Sequence, residues 1–169
     1  MLINIKNIIK MQTDLDKLVF QNNQTNYNKT HFFRKLAILV EIGEFSNELK
    51  IFKFWSKNRK IDTTKVLDEL VDILHFLLSS LIAAKSTIVK IQVTIPKKGK
   101  PEQYNKELTK KIIKFFNQIV CAANNPTEIS KAISQLINIG LTIGFNWKTI
   151  ENAYIKKNFV NIERQKNNY

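Results

Sequence analysis

The chain has 169 residues, 44% of them hydrophobic and 24% charged, which fits one globular domain with a sizeable core and excludes a disordered or fibrous protein. Four Gly and three Pro favour helices over a many-turned β fold, and the lone cysteine, Cys121, excludes an internal disulfide or a thiolate metal site. The net charge of +13 invites a nucleic-acid reading, but the lysines are scattered rather than gathered in a stripe, so nucleic acid is not the expected partner and the positive field serves at most to draw in a polyanionic small substrate.

From the N-terminus, Ile5, Ile8, Ile9, Met11, Leu15, Leu18 and Val19 recur at helical spacing and predict a first helix over 3–20. The Asn/Gln-rich stretch 21–30 reads as a loop. A second helix is expected over 29–52, broken by Phe52-Lys53-Phe54-Trp55-Ser56, with a polar turn over 58–62. Asp62 or Thr63 can cap a third helix over 64–84. Residues 86–94 are ambiguous, since β-branching favours a strand and context favours a helix. A turn at 96–101 precedes a fourth helix over 102–123. Asn124-Asn125-Pro126-Thr127 opens a fifth over 128–143, and Gly144-Phe145-Asn146-Trp147 ends it before a last helix over 148–165. The expected fold is an all-α bundle of five or six helices forming a single domain over 1–169. Cys121, inside the fourth helix, reads as a small buried hydrophobe in a reducing compartment. No secretory leader is apparent and no apolar run approaches the ~20 residues of a membrane span, so a cytoplasmic location without membrane contact is expected.

Two acid pairs stand out. Glu41 and Glu44, then Glu69 and Asp72, are each spaced i,i+3 and so share a helix face, within stretches otherwise rich in Leu, Ile, Val and Phe. One such pair alone is usually a solvated face. Two pairs on inward-packing helices would bring four carboxylates together in a partly dry place, where they repel and resist desolvation unless a hard divalent cation joins them. Glu48 is either an outer ligand or a surface acid. On the last helix Lys157, Asn161 and Arg164 form one stripe of donors. It is a solvated face by itself and, beside acids and metal, a polyphosphate clamp. His75, three residues after Asp72, either faces substrate or is a satisfied core histidine. There is no P-loop and no Gly-x-Gly-x-x-Gly, and two histidines are too few for a His-based zinc site.

The runs Glu41-Ile-Gly-Glu44, Phe52-Lys53-Phe54-Trp55-Ser56 and Glu69-Leu-Val-Asp72-Ile-Leu-His75-Phe76 resemble those of the all-α dimeric dUTPases, relatives of the MazG-type nucleotide pyrophosphatases. The tail from Ala153 to Tyr169 resembles the family's Lys-Asn-x-x-Asn-x-x-Arg-Gln-x-x-Gly-Tyr end. The preceding Gly140-Leu-Thr-Ile-Gly144-Phe145 fits as well, and Gln12-x-x-Leu15-Asp16 resembles its Gln-x-x-Leu-Asn. The resemblance implies a homodimer that hydrolyses dUTP, and in many members dUDP, to dUMP, with pyrophosphate leaving from the triphosphate. It implies two or three Mg²⁺ on Glu41, Glu44, Glu69 and Asp72, phosphates on Lys157, Asn161 and Arg164, and Tyr169 stacked on the base. Gln12, Asp16 and Trp55 would read the uracil, Lys53 would join the substrate-binding set, and His75 and Asn158 would lie near the sugar. Water would attack the α-phosphorus, with Glu44 expected to take its proton. Two departures weigh on this: Asp16 replaces the usual Asn, and Asn168 replaces the Gly before Tyr169. An ionised Asp only accepts hydrogen bonds, so it suits the N4 amine of cytosine better than O4 of uracil, unless it faces a water or a sugar hydroxyl. A dCTP-preferring or broader MazG-like pyrophosphatase is the alternative. A non-catalytic basic helical binding protein is the alternative of another class.

Overall fold

A computed structural model describes residues 1–58, 60–94, 106–121 and 125–167. The expected turn at 96–101, the environment of the Cys121 side chain, Asn168 and Tyr169 lie outside the described residues. Among those described, six helices account for most of the chain: α1 (Lys6–Asn22), α2 (His31–Leu49), α3 (Thr63–Ala83), α4 (Lys106–Cys121), α5 (Pro126–Ile143) and α6 (Trp147–Lys166). The all-α expectation holds.

Side-chain caps set several helix starts. Asp62 accepts from the backbone N–H groups of Thr64 and Lys65 at 3.0 and 3.3 Å, which decides between the two expected caps of α3. Asn125 caps α5 in the same way, with Pro126 opening the helix, where its missing N–H is harmless. Asn146 accepts from Thr149 N–H at 2.8 Å to start α6. Gly144, at φ 118°, ends α5 in a left-handed conformation that a side chain would strain. α2 stops at Leu49, short of the expected 52, because Lys50 itself turns left-handed at φ 55° while its N–H bonds back to Ser46 and Asn47.

The start of the first helix also needs correction. The first helix begins at Lys6, not residue 3, because β1 (Leu2–Asn4) pairs antiparallel with β2 (Lys90–Gln92), Ile3 opposite Ile91. The pairing continues through Val93 N–H to Met1 O at 2.9 Å and Ile5 N–H to Val89 O at 2.9 Å. Both central isoleucines are buried, so the ribbon seals one edge of the core. The ambiguous stretch 86–94 therefore contains a strand, as its β-branching favoured.

α3 is the central element. It packs against α1, α2, α5 and α6, while α4 leans on α5 and α2. Val66, Leu70, Val71, Ile73, Leu74, Leu77, Leu78 and Leu81 are all buried along it. At about 1.5–3 kcal/mol for each fully buried large side chain, this helix anchors the fold. Gly140 on α5 lets three helices meet closely: a Cβ there would come within 2.8 Å of Leu70 and 3.0 Å of Ile150.

Candidate active site

The face of α3 that its apolar residues leave free carries Glu69, Asp72 and His75. The matching face of α2 carries Arg34, Glu41 and Glu44. Near Glu41 lie Glu69 and Asp72, whereas near Arg34 lies Asp16, which also touches Ser79, later on α3. The two helices thus run antiparallel, with acids at one end of their shared cleft. The cleft encloses about 510 Å³ and is lined by residues of α1, α2, α3 and α6.

Carboxylate oxygens of Glu41, Glu69 and Asp72 lie within 4.8 Å of one another, and all three side chains are half-buried. Glu44, one turn further along α2, is exposed and stands outside this trio, although its charge still acts on Glu41 and Glu69. Desolvation, followed by the charges of Asp72, Glu44 and Glu69, pushes the Glu41 carboxyl up to about 7, with Lys157 opposing. Glu69 is raised by burial and by Glu44 and Asp72. Asp72 is raised by burial, against the pull of Lys157. The Lys157 ammonium sits 2.6 Å from Asp72 Oδ2, so the expected phosphate donor is found on the acids. One ammonium does not neutralise three carboxylates. An all-oxygen donor set with surplus negative charge is what a hard divalent cation fits.

Asn161 and Arg164 line the cleft beside Lys157, and Arg164 Nη1 reaches Asn161 Oδ1 at 3.4 Å. The stripe expected from sequence is therefore brought to the acids. Deeper in, Gln12 is a hub. Its Oε1 accepts from Tyr154 OH at 2.7 Å and from His75 Nδ1 at 2.8 Å, while its Nε2 donates to Asp16 Oδ1 at 2.7 Å. Tyr154 also stacks on His75, ring centroids 4.1 Å apart. Burial, and then Lys157, pushes His75 down to about 3, so the ring is neutral. Since an amide oxygen can only accept, the proton rests on Nδ1, and Nε2 is left as a bare acceptor. That buried Nε2 has no partner among the described residues, and neither does Asn158 Oδ1.

Other expected residues are not brought to the cleft. Asn158 is buried behind it, donating to Met11 O at 3.4 Å. Lys53 and Trp55 do not line it. Trp55 is 63% exposed and packs edge-on against Phe52 and Phe54, because the turns that follow Lys50 carry this segment out to solvent. Conversely, Arg34, Tyr27 and Ser79 escaped sequence reading. Arg34 left a signal: a cation inside an apolar helix, seven residues before Glu41 and so on its face.

A family model described as dUTPase matches residues 4–169 of the chain. No curated protein and no solved structure matches it.

A carboxyl whose native pKa is raised stabilises the fold below its ordinary value of 4.5, and that contribution is lost as pH rises through about 7. Metal-free protein should therefore lose thermal stability relative to the Glu41→Gln variant between about pH 5 and about pH 7.5. A wild-type-to-variant difference that does not change with pH would contradict the crowding of Glu41.

Proposed function

The chain belongs to the dUTPase family and is a dUTP diphosphatase, and from that premise we propose that it releases dUMP and pyrophosphate by water attack at the α-phosphorus, with Mg²⁺ in the acidic trio. The observation that carries this reading is the convergence of Glu41, Glu69 and Asp72 within 4.8 Å at one end of a nucleotide-sized cleft. These three residues would hold the cation, which when bound offsets phosphate charge and makes water more acidic. Glu44 stands next to the trio, exposed and not drawn into it, and so remains available to take the proton of the attacking water. Lys157 leaves Asp72 for the phosphates once the acids have another counter-charge. Asn161 and Arg164 extend that donor row, which stabilises the charge of departing pyrophosphate. The bare Nε2 of His75 suits a hydroxyl of the deoxyribose, between the phosphates and the deeper end of the cleft. A diphosphate presents the same α-phosphorus, so dUDP is also a substrate.

The exposed apolar face of the bundle supports a homodimer. Phe32, Leu36 and Val40 make one stripe on α2; Ile113, Phe116 and Val120 make another on α4. The two helices adjoin, Lys35 Nζ donating to Val120 O at 2.8 Å. So much contiguous apolar surface is unusual on a monomer.

A nucleotide panel tests the reaction. With Mg²⁺, dUTP should yield dUMP and pyrophosphate, Glu69→Gln should yield none while remaining cooperatively folded, and Glu44→Gln should slow turnover by about 10²–10⁴-fold. Full turnover in Glu69→Gln would overturn the scheme. For the assembly, light scattering should give twice the chain mass for wild type and the chain mass for Leu36→Glu combined with Val120→Glu. A monomeric wild type would remove the dimer.

A further inference from the structure

The end of the cleft away from the acids holds a cation that metal and phosphate chemistry do not use. Arg34 precedes Glu41 by two helical turns, about 10.5 Å along the axis, on the same face. It lines the cavity, yet the residue is only 7% exposed. A guanidinium carries five N–H donors in a fixed plane. Nη1 donates to Thr30 Oγ1 and Nη2 to the backbone oxygen of Tyr27 at 3.0 Å, with Cζ 5.3 Å from the centre of the Tyr27 ring. Each Nη uses one of its two hydrogens, and the buried Nε has no partner among the described residues. A cation fixed this firmly with donors left over is oriented for an acceptor that the described residues do not supply.

Its neighbour Asp16 bears on the same question, because a free carboxylate there would attract the amine of a cytosine. The carboxylate is not free. Oδ1 accepts from Gln12 Nε2 at 2.7 Å and Oδ2 from the Tyr27 hydroxyl at 3.0 Å; burial raises the carboxyl above its usual range, opposed by these two bonds, by Ser79 and by Arg34. The side chain is 6% exposed and lies in the field of Arg34. Each oxygen already holds one donor in fixing Gln12 and Tyr27, and the carboxylate charge offsets that of the guanidinium.

We infer that Arg34, rather than Asp16, is the base-specificity residue, its guanidinium donating to the O4 carbonyl of uracil. The same group meets the N4 amine of cytosine donor against donor, and a buried donor left unpaired is penalised strongly. This rests on the proposed reading that the acids hold the phosphate end, which leaves the Arg34 end to the base.

Removing Arg34 alone would strand a buried Asp16 charge, so the test pairs Arg34→Gln with Asp16→Asn. The quantity to measure is kcat/KM for dUTP divided by that for dCTP. Wild type and Asp16→Asn alone should favour dUTP, whereas the double variant should lose about tenfold or more of the ratio, through a higher KM for dUTP. A ratio within twofold of wild type in the folded double variant overturns the inference, as does collapse of the ratio in Asp16→Asn alone. Wild type supplies a check that needs no variant: a triphosphate of 2-pyrimidinone deoxyriboside, lacking only O4, should show a KM about tenfold or more above that of dUTP. Equal KM values overturn the inference. No pyrophosphate from any nucleotide would defeat the parent reading, whereas an active wild type with an unmoved ratio defeats this one alone.

Discussion

The packing of α2 against α3 forces Glu41, Glu69 and Asp72 into one another's fields, and the rest of the site is arranged around that conflict. The apolar residues of α3 fix its rotation, since Leu70, Ile73, Leu74 and Leu77 have no other direction in which to be buried. Once they face the core, Glu69 and Asp72 face α2. The repulsion is therefore built in by the core. Lys157 from α6 relieves part of it through Asp72, so that the helix proposed to supply the phosphate donors also holds one of the acids by an ion pair.

A second polar layer fixes the cleft from below. Gln12 joins α1 to α3 through His75 and to α6 through Tyr154, and Asn158 ties α6 to the Met11 carbonyl. Nearly every hydrogen-bonding position of Gln12 is engaged, so it acts chiefly as a brace that sets the tautomer of His75 and the position of Asp16. Its rigidity matters because the acid end and the Arg34 end are tied to the same helices. Movement of α1 would alter what His75 and Asp16 present without displacing the acids.

Much of this was legible in the chain. The i,i+3 acids in apolar helices pointed to a shared face, Asp62 or Thr63 to a cap, and the stripe Lys157, Asn161, Arg164 to one side of α6; all three depend on local sequence alone. What was not legible depended on distant contacts. Ile3 and Ile91 pair across 88 positions, so nothing near residue 3 marks the strand. Nothing local shows that Lys50 turns left-handed, because neither Gly nor Pro stands there. The resemblance named Trp55 and Lys53 as substrate contacts, but the turns after α2 hold them away from the cleft of their own chain. The resemblance places Asp16 among the base readers and its charge points to cytosine, whereas only the fold shows that Gln12 and Tyr27 bond to its oxygens.

The central claim is that the three acids are crowded so as to hold a divalent cation, with Lys157 standing in for part of its charge. Mn²⁺ titration of nucleotide-free protein, followed by electron paramagnetic resonance at about pH 8, tests it most directly. Saturable binding that is lost in Asp72→Asn and tightened in Lys157→Met is the predicted result. Wild type that takes up no Mn²⁺, or a Lys157→Met variant that binds it no more tightly, would contradict the account.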